Sequence, residues 1–406
     1  MWAPVRVATF GSSFTILLVV AFADGGFFHD TWVWITLALS SVAWIALALR
    51  DEIVLGRLDV VCLAALASFA GWVALSAAWS PTPEESLREG QRTLMYVAAF
   101  LAFLLVVDRD RIREHLAGIA AAAAVVAAFS LADRLVRGQP PGGDPVQGTL
   151  LFEPLGYANA LAILVVIGLL VSLGLAVTAA PRAERAAWLA TSIVFVPALA
   201  WTESRAAWLA LLIGLCVLLV LAHRAVAAAA AVAIMSGLGL AILWGGLGLG
   251  PRVDYWRVAW NQWQENAWLG SGAGTFAAYW QQEPTASAVL DAHSLYLETL
   301  AELGPIGLAL LLVALAIPIL AAVSAHTNRL AWVAASGYAA YLVHAGIDWD
   351  WEMPAVTLAG LLCAVAALAA YRPAGDEFMV GVRGRRAIAL AALVIAGLAV
   401  AAPLAL

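Results

Sequence analysis

Long apolar runs separated by short polar stretches make up almost the whole chain. Runs of about 18 residues or more are long enough to cross a bilayer as helices. Such lengths are not typical of barrel strands, the other structure that satisfies all backbone hydrogen bonds in lipid. The pattern therefore predicts an all-α polytopic membrane protein with about 12–13 transmembrane helices. Its spans are predicted at about 7–23, 31–49, 58–79, 92–107, 114–133, 156–179, 186–201, 206–222, 225–247, 303–324, 330–345, 353–371 and 386–405.

The longest stretch that cannot lie in lipid is found at residues 250–305, between two late spans. We interpret residues 1–406 as one transmembrane domain, with 248–302 as a large extracytoplasmic loop carrying part of the active site. This loop is rich in Trp, and four of its Trp residues recur at near-helical spacing. Because Trp prefers the membrane–water interface, an amphipathic helix lying on the bilayer is at least as good an explanation of that stripe as a binding site. The four are Trp256, Trp260, Trp263 and Trp268.

Composition agrees with a membrane protein. The chain is 64% hydrophobic and 12% charged, whereas soluble domains are about one quarter charged. A net charge of -6 spread over many loops does not suggest nucleic acid. All three Cys lie in apolar runs, so neither a disulfide framework nor a metal-ligand set is expected. The first apolar run is better explained by an uncleaved span than by a signal peptide, because further spans follow it.

The Arg residues predict the orientation. With a cytoplasmic N-terminus, 14 of the 21 Arg fall in inside connections and 7 in outside ones, as the positive-inside rule expects. This orientation places residues 80–91, 134–153, 202–205, 248–302 and 346–352 outside. No internal repeat is clear enough to argue for an inverted-repeat transporter.

Arg205 lies between two apolar runs, where an ionisable side chain is costly and usually functional or paired. A guanidinium group binds phosphate in a bidentate manner, so an outward-facing Arg suits a lipid diphosphate. The structural alternatives are an ion pair with Glu203 and snorkelling to the headgroups.

Two further Arg residues follow a predicted span in the outer loop. Arg252 and Arg257 are five residues apart, so on a helix they would point more than 90° from each other. One could face a site and the other water, although either could instead pair with Asp254 or contact lipid headgroups. Arg252 directly follows the span and should be the better positioned.

His293 is the one His of the outer loop. Near neutral pH a His can accept a proton from a sugar hydroxyl, although a lone His is more often structural.

Two other motifs are weaker evidence for a functional site. The glycine turn at 270–274 lacks the preceding strand of a dinucleotide-binding fingerprint. The Asp-Trp-Asp at 348–350 has the spacing of a metal-binding pair, but it lies in a predicted outer connection where nucleotide sugars are absent.

Four stretches, in order, are similar to motifs of the O-antigen ligase and polymerase family of bacterial membrane glycosyltransferases. They are Asn-Ala-Leu-Ala at 159–162, Thr-x-Ser-Arg at 202–205, Arg-x3-Trp at 252–256 followed by Leu-Gly-x-Gly-x-Gly at 269–274, and His-x2-Tyr-Leu-x2-Leu-x-Glu-x-Gly-x2-Gly at 293–307. The glycine stretch resembles the family's Pro-Leu-x-Gly-x-Gly. Two departures stand out. Ala267 replaces the usual Pro before the glycine turn, and 13 predicted spans exceed the family's usual dozen.

The resemblance implies a GT-C-like fold in the cytoplasmic (inner) membrane with its site on the extracytoplasmic side. The implied donor is a glycan on undecaprenyl diphosphate, and the acceptor is a glycan or lipid hydroxyl. Arg205 and Arg252 would bind the diphosphate and His293 would activate the acceptor, giving inversion without metal, nucleotide or other cofactor. Further substrate-binding residues are predicted at Arg257, Tyr157, Asn159, Tyr296 and Trp256.

The motifs leave alternatives open. A polymerase of the same family uses the growing chain as acceptor and would carry the same motifs. A lipid-linked glycan transporter would need polar residues along a membrane pathway, whereas the predicted spans consist mostly of Ala, Val, Leu and Ile. A scaffold that binds partners through its Trp-rich loop would leave Arg205 without a role.

Overall fold

The computed structural model describes residues 3–138, 144–222, 250–283, 289–372 and 375–405. Most of these residues are helical, and two short antiparallel strands pair with each other. The strands are β1 (Val54–Gly56) and β2 (Glu377–Met379). The helices are α1 (Ala3–Ala21), α2 (His29–Leu49), α3 (Arg57–Leu75), α4 (Pro83–Val106), α5 (Ile112–Arg137), α6 (Ala158–Thr178), α7 (Arg182–Thr202), α8 (Arg205–Ala222), α9 (Arg252–Glu265), α10 (Phe276–Trp280), α11 (Leu295–Ser324), α12 (Arg329–Ala345), α13 (Pro354–Tyr371) and α14 (Val382–Ala405).

The helices coincide with the predicted spans. Among the described residues, nine helices are long and apolar enough to cross a membrane, and α1 and α8 contain shorter apolar helices. Twelve of the thirteen predicted spans overlap one of the helices named above, while the predicted span at 225–247 lies outside the described residues. The all-α polytopic class predicted from the hydrophobic pattern is thereby confirmed.

Two helices form the centre of the bundle. α6 and α13 are almost wholly buried, and they consist largely of Ala, Leu, Val and Gly. Small residues let neighbouring helices approach closely, which is the main source of packing energy between helices in lipid. At Gly168 of α6, an added Cβ would lie 2.5 Å from the Ala123 Cβ and 2.8 Å from the Phe195 ring. The absence of a side chain there allows α5 and α7 to pack on α6.

Connections predicted to lie outside gather at one end of this bundle. The Ser86 hydroxyl donates to the Ala273 carbonyl at 2.7 Å, and the Leu151 N–H donates to the Trp201 carbonyl at 2.9 Å. Arg113 contacts Glu184 at the other end, at 2.7 Å, where several Arg of the predicted inner set lie. The two sets of connections thus occupy opposite ends, as predicted. Which leaflet each end faces stays a prediction of the Arg count.

A kink divides α11 into an outer arm and a spanning part. Gly304 has a φ of +66° and Pro305 follows it, so the helical hydrogen bonds are interrupted there. The 20 residues from 305 to 324 are about 30 Å long, which matches the hydrocarbon thickness. Trp268 reaches the kink, because its carbonyl oxygen would lie 2.3 Å from a Cβ at Gly304. Its side chain is 81% exposed, as expected for a Trp at the membrane–water interface.

Candidate active site

A buried carboxylate joins three of the predicted site residues. The Asp348 side chain is fully buried in the connection between α12 and α13. It accepts hydrogen bonds from Arg252 Nη2 at 2.6 Å, from the Tyr157 hydroxyl at 2.9 Å and from Asn159 Nδ2 at 2.7 Å. These residues come from α9, from the residue that precedes α6 and from α6 itself. Asp348 therefore fixes the start of α9 against the core of the bundle.

One N–H group of the Arg252 side chain has no hydrogen-bond acceptor in the protein. Its side chain is 22% exposed, and its Nε is buried without a hydrogen-bond partner. A buried charged donor without an acceptor is unfavourable, so this edge of the guanidinium group is suited to an anion that enters the site. The aromatic rings of Tyr157 and Trp349 stack beside Asp348, with centroids 4.6 Å apart. One wall of the site is therefore aromatic.

His293 lies beside the same helix. Its imidazole ring is 5.0 Å from the Tyr255 ring, centroid to centroid, and Trp256 Nε1 donates to its carbonyl at 3.5 Å. Burial lowers the pKa of His293, and the nearby Asp348 charge opposes this shift while Arg252 adds to it. Because Arg252 begins the helix that carries Tyr255 and Trp256, these two contacts place His293 beside the first turns of α9.

The tautomer of His293 follows from its contacts. Nδ1 lies 3.0 Å from the Asp291 carbonyl oxygen. A carbonyl oxygen can only accept, so Nδ1 must carry the proton of that hydrogen bond. The lone pair of the neutral ring is then on Nε2, which is the atom available to take a proton from a substrate.

The glycine turn holds the outer arm of α11. The N–H groups of Gly274 and Phe276 both donate to the Glu302 carboxylate at 2.8 Å, and the Gly272 N–H donates to the Glu302 carbonyl at 2.8 Å. Gly270 has a φ of +72°, and a Cβ there would lie 2.2 Å from the Glu302 carbonyl oxygen. The glycine motif is thus required for close packing against Glu302, and Ala267 precedes it without preventing the turn.

Gly270→Ala should destabilise the protein by about 2–3 kcal/mol, because it combines a steric clash with an unfavourable positive φ. Thermal unfolding of the purified protein in detergent would show the change as a midpoint several degrees lower. Gly71→Ala is the matched control, since a Cβ at Gly71 of α3 meets nothing within 4 Å. An unchanged midpoint for Gly270→Ala would contradict this account of the turn.

A charged network that the sequence analysis did not identify lies next to His293. Arg92 of α4 is only 3% exposed and donates to the Glu352 carboxylate at 2.7 Å. It also pairs with Glu89, and the rings of Trp32 and Trp351 lie over its guanidinium group. The sequence signal was present, because Glu89 and Arg92 stand next to an apolar run. The positive-inside count places Arg92 among the seven outer Arg residues and gives it no role in a site.

Carboxylate oxygens of Asp291, Glu298 and Glu352 lie within 4.8 Å of one another, which is close enough for a shared cation. Each is already occupied in the structure. Glu298 accepts the Ala292 N–H at 2.6 Å, Glu352 accepts from Arg92, and the Asp291 carboxyl is hydrogen-bonded to Glu352. Burial raises the pKa of Asp291 well above its usual range, and the Glu352 charge adds to this shift. We therefore interpret the group as a hydrogen-bonded network and assign no metal to it.

Arg205 begins α8 and is exposed. No hydrogen bond or ion pair joins it to any other residue of the described ranges, so the pair with Glu203 considered above does not form. The position of Arg205 along the bundle axis follows from the packing of α8 against α12. Gly214 of α8 meets Ser336 of α12, where an added Cβ would be 2.9 Å from the Ser336 carbonyl oxygen. Each helix extends nine residues, about 13–14 Å, from that contact to its outer end. Arg205 is thus near the level of Ala345, at the same end as the site.

The structure does not place every predicted substrate-binding residue in the site. Arg257 is half exposed and contacts Asp254 at 3.3 Å and Glu283 at 3.4 Å. The Tyr296 hydroxyl donates to the Leu342 carbonyl at 2.8 Å, which fixes α11 to α12. Sequence reasoning did not select Asp348 as a site residue, since it discounted the Asp-Trp-Asp motif. The second acid of that motif, Asp350, contacts His344 at 3.0 Å.

Residues 184–312 match a protein-family model described as O-antigen ligase. The matched segment contains Arg205, Arg252, His293 and the glycine turn, whereas Tyr157, Asn159 and Asp348 lie outside it. No curated protein matches the chain. The match covers three of the four motif stretches and confirms the family resemblance that they predict, while the stretch at 159–162 lies outside it.

Proposed function

We propose that this chain, whose residues 184–312 match a family model described as O-antigen ligase, transfers a glycan from undecaprenyl diphosphate to an acceptor hydroxyl. The proposal rests on one observation: Arg252 and His293 lie close together at one end of the bundle. Helix α9 begins with Arg252 and contacts His293 through Tyr255 and Trp256, at the end of the bundle where the predicted outer connections meet. The reaction would take place at the outer face of the cytoplasmic membrane.

The leaving group of this reaction is a lipid diphosphate, whose negative charge grows as the glycosidic bond breaks. Fixed guanidinium groups in a partly dry cleft stabilise such charge without reorganising. Arg252 offers the unpartnered edge of its guanidinium group, and Arg205 is exposed near the same level of the bundle. We propose that both bind the diphosphate, Arg252 at the reacting phosphate and Arg205 nearer the headgroups.

His293 would accept the proton of the acceptor hydroxyl. Burial lowers the pKa of His293 and so favours the neutral imidazole, and the hydrogen bond from Nδ1 to the Asp291 carbonyl leaves the lone pair on Nε2. A base that activates the acceptor on the face opposite the leaving diphosphate gives a single displacement. The anomeric configuration would therefore invert. Trp256 and the stacked Tyr157–Trp349 pair offer aromatic faces for sugar rings.

The direct test uses purified protein in liposomes with a lipid-linked glycan and an acceptor. We expect the wild-type protein to form product and Arg205→Ala to lose most of it, because the exposed Arg205 guanidinium group is proposed to bind the diphosphate. A wild-type protein that moves the lipid-linked glycan across the bilayer without cleaving it would instead support the transporter. The polar network reported above lies near one end of the bundle, and the central helices α6 and α13 are apolar along most of their length. These features favour glycan transfer over transport of the lipid-linked glycan across the bilayer.

Chelation should leave transfer unchanged, because guanidinium groups replace a divalent cation at the diphosphate in this mechanism. The measurement is the initial rate in excess EDTA, compared with the rate in added Mg²⁺. A rate that falls in EDTA and returns with Mg²⁺ would contradict the proposed mechanism. In that case Asp291, Glu298 and Glu352 would be the residues to examine as ligands.

Ligase and polymerase differ in the acceptor, and the residues of the site do not distinguish them. Gel analysis of cell-surface glycans after deletion of the gene separates the two. Loss of attachment to the acceptor identifies a ligase, whereas shortened chains that remain attached identify a polymerase.

A further inference from the structure

The backbone at His293 adopts a conformation that needs support. Its φ is +55°, in the left-handed region that side chains other than Gly rarely occupy. Such residues persist when surrounding contacts hold them, and they concentrate at functional sites. Residue 293 precedes the first turn of α11, so its direction depends on how residues 291 and 292 are held.

Glu298 holds the residue before His293. Its side chain is 4% exposed, and its carboxylate accepts the Ala292 N–H at 2.6 Å. Its own N–H donates to the Ser294 carbonyl at 2.9 Å, in the first turn of α11. Glu298 thus connects the rigid arm of α11 back across His293 to the backbone on its other side. Ala292 is fully buried and offers no side-chain hydrogen bond of its own.

Asp291 completes the support. Its carbonyl oxygen accepts from His293 Nδ1, while its carboxyl is hydrogen-bonded to Glu352, which Arg92 holds in turn. The carboxylate oxygens of the two residues lie within 4.8 Å of each other, and burial raises the pKa of Asp291, which favours its protonated form as the donor to Glu352. The residues on the N-terminal side of His293 are therefore fixed both by α11 and by α4.

We propose that Glu298 is a positioning residue, which holds the Ala292 N–H so that His293 keeps its left-handed backbone and presents Nε2 to the acceptor. This inference rests on the proposed function. It is separate from the role of Glu302, whose carboxylate holds the glycine turn one helical turn further along α11. What Glu298 contributes is an acceptor oxygen at a fixed position, and the carboxylate charge is not itself required.

The test compares Glu298→Gln with Glu298→Ala in the liposome assay. Gln keeps an acceptor oxygen at the same distance, so we expect kcat within about threefold of wild type. Ala removes it, and a displacement of the base by about 1 Å can lower the rate by about 10²-fold. We therefore expect kcat to fall by about 10–100-fold in Glu298→Ala, with the KM for the lipid-linked donor within about twofold. If Glu298→Gln keeps its kcat and Glu298→Ala keeps its KM, the loss of kcat in Glu298→Ala comes from a displaced His293 and not from general unfolding.

Glu265→Ala is the matched control, because Glu265 is an exposed carboxylate at the end of α9. It should leave kcat unchanged. If Glu298→Ala does not fold, Glu298→Asp takes its place, since the side chain is then too short to reach Ala292 and the same loss is expected. Wild-type kcat in either variant would overturn the proposal, and so would an equal loss in Glu298→Gln and Glu298→Ala. A fully active His293→Ala variant would overturn the proposed function itself.

Discussion

Arg252→Ala should lower glycan transfer by roughly 10²–10³-fold, the usual effect of removing one fixed donor to a developing negative charge. It should also destabilise the protein, because it leaves Asp348 buried with hydrogen bonds but without its cation. The double variant Arg252→Ala/Asp348→Asn separates the two effects. We expect its thermal midpoint to recover while transfer stays low.

Arg252→Lys gives a second view of the same group. Lys keeps a positive charge near Asp348, but it lacks the planar fork that binds a phosphate through two N–H groups. Transfer should therefore fall although the protein stays folded. Arg257→Ala is the matched control on the same helix, since Arg257 is half exposed and pairs with Asp254 and Glu283. Equal losses in Arg252→Lys and Arg257→Ala would contradict the role assigned to Arg252.

His293→Ala should lower transfer by roughly 10²–10⁴-fold, the range for a general base. Binding of the lipid-linked donor should change little, because Arg252 and Arg205 remain. The measurements are the single-turnover rate in liposomes and donor binding in the absence of acceptor. A variant that binds the donor normally but transfers at the wild-type rate would exclude His293 as the base.

The pH dependence gives the same residue a second test. His293 must be neutral to accept a proton, and burial lowers its pKa below the ordinary value of 6.5. Transfer should therefore be constant at pH 7 and above, and should fall as the pH drops through this lowered pKa. Because the Asp348 charge raises the pKa of His293, Asp348→Asn should move the acidic limb to lower pH. A limb that moves to higher pH would contradict the arrangement.

The fold could be predicted from the sequence because transmembrane helices are specified locally. An apolar run of sufficient length must be helical in lipid, whatever its neighbours are. The helix starts were less predictable. α4 is predicted from residue 92 but begins at Pro83, because its exposed first turn carries charged residues that hydropathy does not assign to a span. Further along the helix, Arg92 is buried because it pairs with Glu89 and with Glu352, and hydropathy does not report pairing.

The motifs selected candidate residues of the site, but they did not select the residues that contact those candidates. Arg252 and His293 were selected from motifs within one loop. Asp348 is 96 residues from Arg252, so no local pattern connects them. Likewise, nothing in the spacing of Glu298 shows that it reaches back to Ala292. Contacts of this kind depend on how helices pack, and the sequence order alone does not reveal them.

The Glu302 carboxylate occupies the glycine turn, and this affects whether the turn can bind a phosphate. Successive backbone N–H groups in such turns commonly form a concave cradle for phosphate. In this turn the N–H groups already donate to the Glu302 carboxylate. A substrate phosphate would have to displace that buried carboxylate to bind there. The Glu302 carboxylate thus occupies the position that a nucleotide phosphate would take in such a turn. In the mechanism proposed above, phosphate recognition therefore depends on the Arg252 and Arg205 side chains.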